Sequence, residues 1–212
     1  MEILFYILIS LVVGSLIWRT LTHFYNIPWP YFLAFWLENP YMKLFANPNA
    51  LIKECSIKRG DRILEIGCGA GRVLIRAGKA AELSGEFVGV DMQKNMIRQA
   101  QKAVERAAGN KGPFKLIHAK FSPNFATTHN LETNSFDKIL LVTVLGEIPN
   151  KQIVLSTAYS LLKPDGSLII QEVIPDPCYI TKHRLKQLCE SAGFLSDRKI
   201  HSFLNYIYIF KK

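Results

Sequence analysis

"ILEIGCGAGR", residues 63–72, decides how this chain folds. An apolar run carrying one acid, Glu65, leads straight into glycines at 67, 69 and 71. Continuous branched apolar residues of this length read as a strand buried on both faces. Glycine at alternate positions lets the following turn take backbone angles closed to other residues and brings peptide N–H groups close to a ligand. The details exclude two common ligands. The dinucleotide fingerprint G-x-G-x-x-G requires a third glycine where Arg72 stands, and a phosphate-binding P-loop requires a GK[ST] that does not follow.

Outward from this turn, strand and helix patterns alternate. Residues 71–81 read as a helix and 86–91 as a second strand. Residues 94–108 place Ile97, Ala100, Val104 and Ala107 on one helical face, with Gly109 and Asn110 as stop signals. A third strand is expected at 114–119, a fourth at 136–145, a helix at 150–162, a turn at 163–166 and a fifth strand at 167–173. Thr181 is positioned to cap a helix that ends at Gly193, and 195–210 reads as a hairpin with Leu204, Tyr206, Tyr208 and Phe210 alternating. Alternation of this kind implies a doubly wound, mostly parallel sheet whose ligand lies at the carboxyl ends of the strands, near the first.

The acids narrow the ligand. Asp91 ends the second strand, where a carboxylate accepts both hydroxyls of a ribose. Glu65 would repel a pyrophosphate but suits an ammonium group. Adenosine without phosphate, a sulfonium and an amino-acid end combine in S-adenosylmethionine. With "VGVDMQKNMIRQA" (88–100), "NSFDKILLVTVL" (134–145) and "LLKPDGSLIIQEV" (161–173) in order behind the glycine turn, residues 50–212 resemble the class I S-adenosylmethionine-dependent methyltransferases. They are most similar to the ubiquinone/menaquinone-biosynthesis group. The resemblance implies a seven-stranded α/β sheet with a reversed last strand, in agreement with the hairpin at the tail.

It also implies site roles. Gly67, Cys68, Gly69 and Gly71 would let the backbone approach the methionine part of the cofactor, and Glu65 would face its ammonium group. Asp91 would hold the ribose hydroxyls and Met92 would pack on the adenine. Val142 and Thr143 would line the methyl group. Relatives often carry an acid after strand three that receives the adenine amino group; Ala119 and Lys120 stand there instead, so adenine is read by backbone or by another side chain. Many relatives have a histidine after strand four where this chain has Gly146 and Glu147. A catalytic base is needed only if the acceptor must lose a proton; the candidates near the strand ends are Glu147, Glu172, Tyr179 and His183. Residues 173–183, rich in proline and turn formers, would form a wall of the acceptor pocket. Asn39-Pro40-Tyr41 and Asn47-Pro48-Asn49 are read as turns.

The first part of the chain is different material. Residues 3–18 carry no charge, and a helix of that length reaches roughly 24 Å against a hydrocarbon core of about 30 Å. Arg19 would snorkel and extend it. Half of the aromatic residues and all three tryptophans precede residue 47, as expected of a segment at the headgroup layer. The expected organisation is a membrane helix over 1–22, spanning or lying in the interface, then an aromatic interfacial segment over 23–49, then the methyltransferase domain over 50–212. Glu2 at the extreme end and the absence of a small-x-small site fit poorly with a cleaved signal. Charges cancel over 1–46, so the net charge of +9 sits on the remainder, which points to an anionic partner surface and to a catalytic domain on the cytoplasmic side.

Four scattered cysteines (Cys55, Cys68, Cys178 and Cys189) show neither a disulfide framework nor a metal-ligand spacing, so no metal is expected. Three functions are compatible with these features. The first is a membrane-associated methyltransferase acting on a lipidic or hydrophobic small acceptor, a quinone precursor or a phospholipid headgroup. The second is a tethered protein or RNA methyltransferase, although no nucleic-acid module is recognisable. The third is a non-catalytic cofactor-binding protein.

Overall fold

The computed structural model describes residues 46–212 except 110, 111, 175 and 203, together with positions 5, 6, 9, 10, 13, 14, 17 and 20. The expected membrane helix and aromatic segment therefore lie largely outside the described residues. Among the described residues, no helix is long and apolar enough to cross a membrane.

The body opens with α1 (Pro48–Glu54), where a turn was expected. The Asn47 side chain accepts from the N–H groups of Asn49 and Ala50, and Pro48 occupies the first helical turn, where a missing N–H costs nothing. Then follow β1 (Arg62–Ile66), α2 (Arg72–Ala80), β2 (Glu86–Asp91), α3 (Lys94–Ala108) and β3 (Phe114–His118). The second half contains α4 (Phe125–Thr128), β4 (Phe136–Val142), a 3-10 turn (Leu145–Glu147), α5 (Lys151–Leu161), β5 (Leu162–Val173), α6 (Lys182–Ser191), β6 (Leu195–His201) and β7 (Asn205–Lys211).

The strands form one sheet in the order β3-β2-β1-β4-β5-β7-β6. Each pairing from β3 through β5 is parallel, and β7 runs antiparallel to both neighbours. The expected α/β sheet with a reversed last strand is the one observed. Two apolar layers cover it. Leu64, Ile66, Ile139, Leu141, Leu168 and Ile170 face α5 and α6. Ile63, Leu140, Ile169, Ile207 and Ile209 face α1 and α2. Burying one such side chain contributes about 1.5–3 kcal/mol, so these layers dominate the stability of the domain.

The order of strands positions the site. From β1 the chain winds outward to β2 and β3, then returns to lay β4 on the other side of β1. This reversal leaves the carboxyl ends of β1, β2 and β4 facing one crevice.

Candidate functional site

The glycine turn is built as its composition requires. Gly67, Gly69 and Gly71 have φ of 75°, 52° and 82°, a region that β-carbon sterics penalise. Their surroundings differ. A Cβ on Gly67 would overlap the Val144 side chain, whereas a Cβ on Gly69 would meet nothing within 4 Å among the described residues. Gly69 thus borders open space at the strand end. Cys68 donates its N–H to the Val90 carbonyl, and its buried thiol packs toward Gly89 and donates to the Gly69 carbonyl at 3.8 Å.

Glu65 lies on β1 on the face shared with α2, and is 2% exposed. The N–H of Leu74, in the first turn of α2, donates to its carboxyl, while Oε2 is shielded from solvent and has no hydrogen-bond partner among the described residues. Burial pushes its pKa up to about 8, against the opposing pull of the nearby Arg72 guanidinium and the Leu74 N–H. An orphaned, desolvated carboxyl oxygen beside a glycine turn is a receptor for a cation. A ligand ammonium group supplies both the missing hydrogen bonds and the missing charge.

Asp91, at the end of β2, holds the turn from the other side. Its Oδ2 accepts from the Gly69 N–H at 2.9 Å, and its Oδ1 from the Gln93 N–H at 2.8 Å. Each oxygen keeps a further lone pair for a hydroxyl. Burial raises its pKa, opposed by those two N–H bonds and by His118. Met92, next along, is 44% exposed, an unusual position for a large thioether and one suited to the face of a flat ring. Ala119 is half-buried, with its N–H on the Asp91 carbonyl, and Lys120 is exposed. His118 was not singled out from the sequence. Its Nε2 lies 3.1 Å from the Met92 carbonyl oxygen, which brings an imidazole to the same corner.

Strand β4 ends sooner than expected, at Val142, for a local reason. Thr143 has φ of 52°, a rare state for a β-branched residue, costing about 1–3 kcal/mol. Its N–H donates to the Gln171 carbonyl and its hydroxyl to the Val142 carbonyl, both at 2.8 Å, so the kink is held on two sides. The chain then turns so that Val144 meets Gly67 and Gly146 meets the Cys178 carbonyl. The loops after β1, β4 and β5 are therefore in contact in one row.

The candidates for acid–base work separate. Glu147 and Tyr179 are half-buried; the charge of Glu147 is felt at Glu172, and that of Glu172 at Tyr179. His183 is exposed on the first turn of α6, whose cap is Thr181. Thus Glu65, Asp91, Met92, Thr143 and the three glycines meet around the crevice, while Glu147, Tyr179 and Glu172 gather at the end of β5.

The residues present fit a ligand with an ammonium group at Glu65, hydroxyls at Asp91 and a ring at Met92. The profile of a methyltransferase domain family matches residues 57–205. Demethylmenaquinone methyltransferase of Geobacillus sp. (strain WCH70) is 30% identical over 122 residues, 57% of this chain and 49% of that protein. The Staphylococcus aureus (strain JH9) enzyme of the same name is 28% identical over 122 residues, 58% of this chain and 47% of that one. The chain spans about half the length of the curated relatives it matches. A SAM-dependent methyltransferase from Aquifex aeolicus superposes with a TM-score of 0.74 at 20% identity, covering 86% of this chain and 98% of that one, a likeness of fold. The chain belongs to the methyltransferase domain family.

Proposed function

We propose that this chain is a membrane-associated methyltransferase whose acceptor is a lipidic or hydrophobic small molecule, a quinone precursor before a phospholipid headgroup. S-adenosylmethionine, when bound, supplies a methyl group already activated by its sulfonium, and the protein's task is alignment. Glu65 would hold its ammonium group, Asp91 its ribose hydroxyls, Met92 its adenine, and Val142 and Thr143 the methyl region. Glu147 and Tyr179 are the better-placed candidates to take a proton from an acceptor; exposed His183 is less so.

The observation that carries the acceptor class is at the other end of the chain. Phe5, Ile9, Val13 and Ile17 share one helical face at four-residue spacing, and all are exposed, as is Tyr6. The Arg72 guanidinium, directly after the glycine turn, donates to the Ala46 carbonyl at 3.2 Å, so the described body begins beside the glycine turn and its crevice. An apolar helix in a bilayer would place that crevice at the membrane surface, with the body, which holds the charge of +9, on its cytoplasmic, anionic side. The quinone preference rests on the named activity of the relatives.

The test is incubation of the full chain with methyl-labelled S-adenosylmethionine and a bacterial membrane extract, followed by partition. Label in the organic phase supports the reading. Label in protein or RNA selects the tethered macromolecular methyltransferase, and no label in any fraction overturns both.

A further inference from the structure

Glu65 is not the only buried carboxyl with an oxygen left over. Glu172, next to last in β5, is 1% exposed, and its Oε1 is shielded from solvent and has no hydrogen-bond partner among the described residues. It lies on the opposite face of the sheet from Glu65, in the layer of Leu168, Ile170 and Tyr206. The Ile180 N–H donates to its carboxyl, and the Ile180 carbonyl accepts from the Tyr206 hydroxyl at 2.5 Å. Glu172 and Tyr206 are partners across β5 and β7. Together they hold both sides of Ile180 and fix the loop after β5, but the Tyr206 proton is already committed.

The surroundings decide what Oε1 can do. The Asp176 carboxylate from the loop and Glu147 from the 3-10 turn both disfavour a second negative charge, and burial adds to them, pushing Glu172 well above the carboxylate range. Lys151 on α5 opposes this weakly. Its ammonium is tied to the carbonyls of Gly146 at 3.1 Å and Ile148 at 2.8 Å, and it lies within reach of the fields of Cys178 and of Arg184 on α6. Tyr179 and Tyr206 meet edge to face at 5.7 Å, and Lys182 stands 6.0 Å above the Tyr206 ring. A carboxyl group kept as the acid has a proton to give. The resident Lys151 supplies the cation that the neighbouring carboxylates would otherwise require.

Resting on the methyltransferase reading above, we propose that Glu172 belongs to the acceptor site and that its Oε1 edge donates a hydrogen bond to an oxygen atom of the methyl acceptor. The loops after β1, β4 and β5 touch in sequence, and the Glu172 carboxyl holds the last of them at the Ile180 N–H. Ile174, 46% exposed at the end of β5, gives that loop an apolar lip. An acid under an aromatic, apolar wall selects a flat ring bearing a keto or phenolic oxygen over an acceptor that arrives as an ammonium ion, which would draw the proton off.

The probe is 1-tetralone, a ring ketone, bound to the full chain with S-adenosylhomocysteine filling the cofactor crevice. Infrared spectra should show a protonated carboxyl band that is absent from Glu172→Gln and shifts when 1-tetralone binds. Glu172→Gln, which keeps a donor, should bind the ketone within about threefold of wild type, and Glu172→Leu at least tenfold more weakly, the value of one buried hydrogen bond. Cofactor affinity should stay within about twofold in both, which shows that the fold is retained. Equal losses in the Gln and Leu variants, an unaltered Leu variant, no such band, or no ketone binding overturn the proposal. Tighter binding of benzylamine than of 1-tetralone overturns it as well. A band that shifts in a protein that labels no lipid leaves this proposal standing and removes the quinone reading. Lipid labelling with an unaltered Glu172→Leu does the reverse.

Discussion

Affinity for S-adenosylmethionine should depend on pH through one residue. Glu65 has its pKa pushed up to about 8 by burial. Below that pH it is mostly the neutral acid, yet an ammonium ligand requires the anion, so binding must expel a proton. The ligand's own amino group titrates near 8 and stays charged across pH 6–7.5. Apparent affinity is the intrinsic affinity reduced by the fraction of carboxylate present. It should therefore strengthen roughly tenfold per pH unit from pH 6 to 7, and only a few-fold more by pH 8. Calorimetry in buffers of different ionisation enthalpy should record release of nearly one proton at pH 6.5. Glu65→Gln should lose the slope and, at pH 8, bind about 10–100-fold more weakly, as expected for one hydrogen bond to a charged group. A wild-type affinity that is flat between pH 6 and 8, or the same slope in Glu65→Gln, would refute the reasoning. The sign reverses for stability of the unliganded protein. A folded value above the unfolded one means that stability falls as pH rises from about 4.5 toward 8. Melting curves should show Glu65→Gln gaining over wild type by roughly 3 kcal/mol at pH 7.

Other substitutions separate binding from folding. Gly67→Ala places a methyl group on Val144 at a left-handed φ and should cost about 2–4 kcal/mol in thermal unfolding. Gly69→Ala meets open space and should cost only about 1 kcal/mol, yet weaken cofactor binding far more by filling the cradle, as calorimetry would show. Tyr206→Phe strips the Ile180 carbonyl of its donor and should lower stability by about 1 kcal/mol, a shift of roughly 2–4 °C in Tm. Ile9→Asp and Val13→Asp fall on the exposed stripe; each should reduce sedimentation with anionic vesicles at least tenfold and leave cofactor affinity unaltered.

The sheet was readable because its signals are local and repeated. "RILEI" gives β1 and "KNMIRQAQKAVERAA" gives α3, the latter with the expected bounds, since buried parallel strands are uninterrupted apolar runs and α3 keeps a helical period through Ala100 and Val104. Where expectation and structure part, tertiary contacts decide. β5 begins at Leu162 rather than 167 because Leu162 still pairs with Phe136 across the bulge that "KPDG" makes. β4 stops at Val142 because Thr143 turns left-handed, a state that the apolar run through Leu145 conceals. α1 did carry a signal, Asn before Pro, which a turn reading overlooked. In the site, the acids and glycines were legible from spacing alone. The corner at His118 and the orphaned oxygen of Glu172 were not, because each depends on which loops meet over the sheet.

The central claim is that "ILEIGCGAGR" cradles the methionine side of a methyl donor. A crystal structure of the chain with S-adenosylhomocysteine tests it most directly. The account predicts the ammonium group at Glu65, the ribose hydroxyls on Asp91 and the adenine against Met92, with the backbone at Gly69 in contact with the ligand. A ligand bound elsewhere, or a carboxylate rather than an ammonium group facing Glu65, would contradict it.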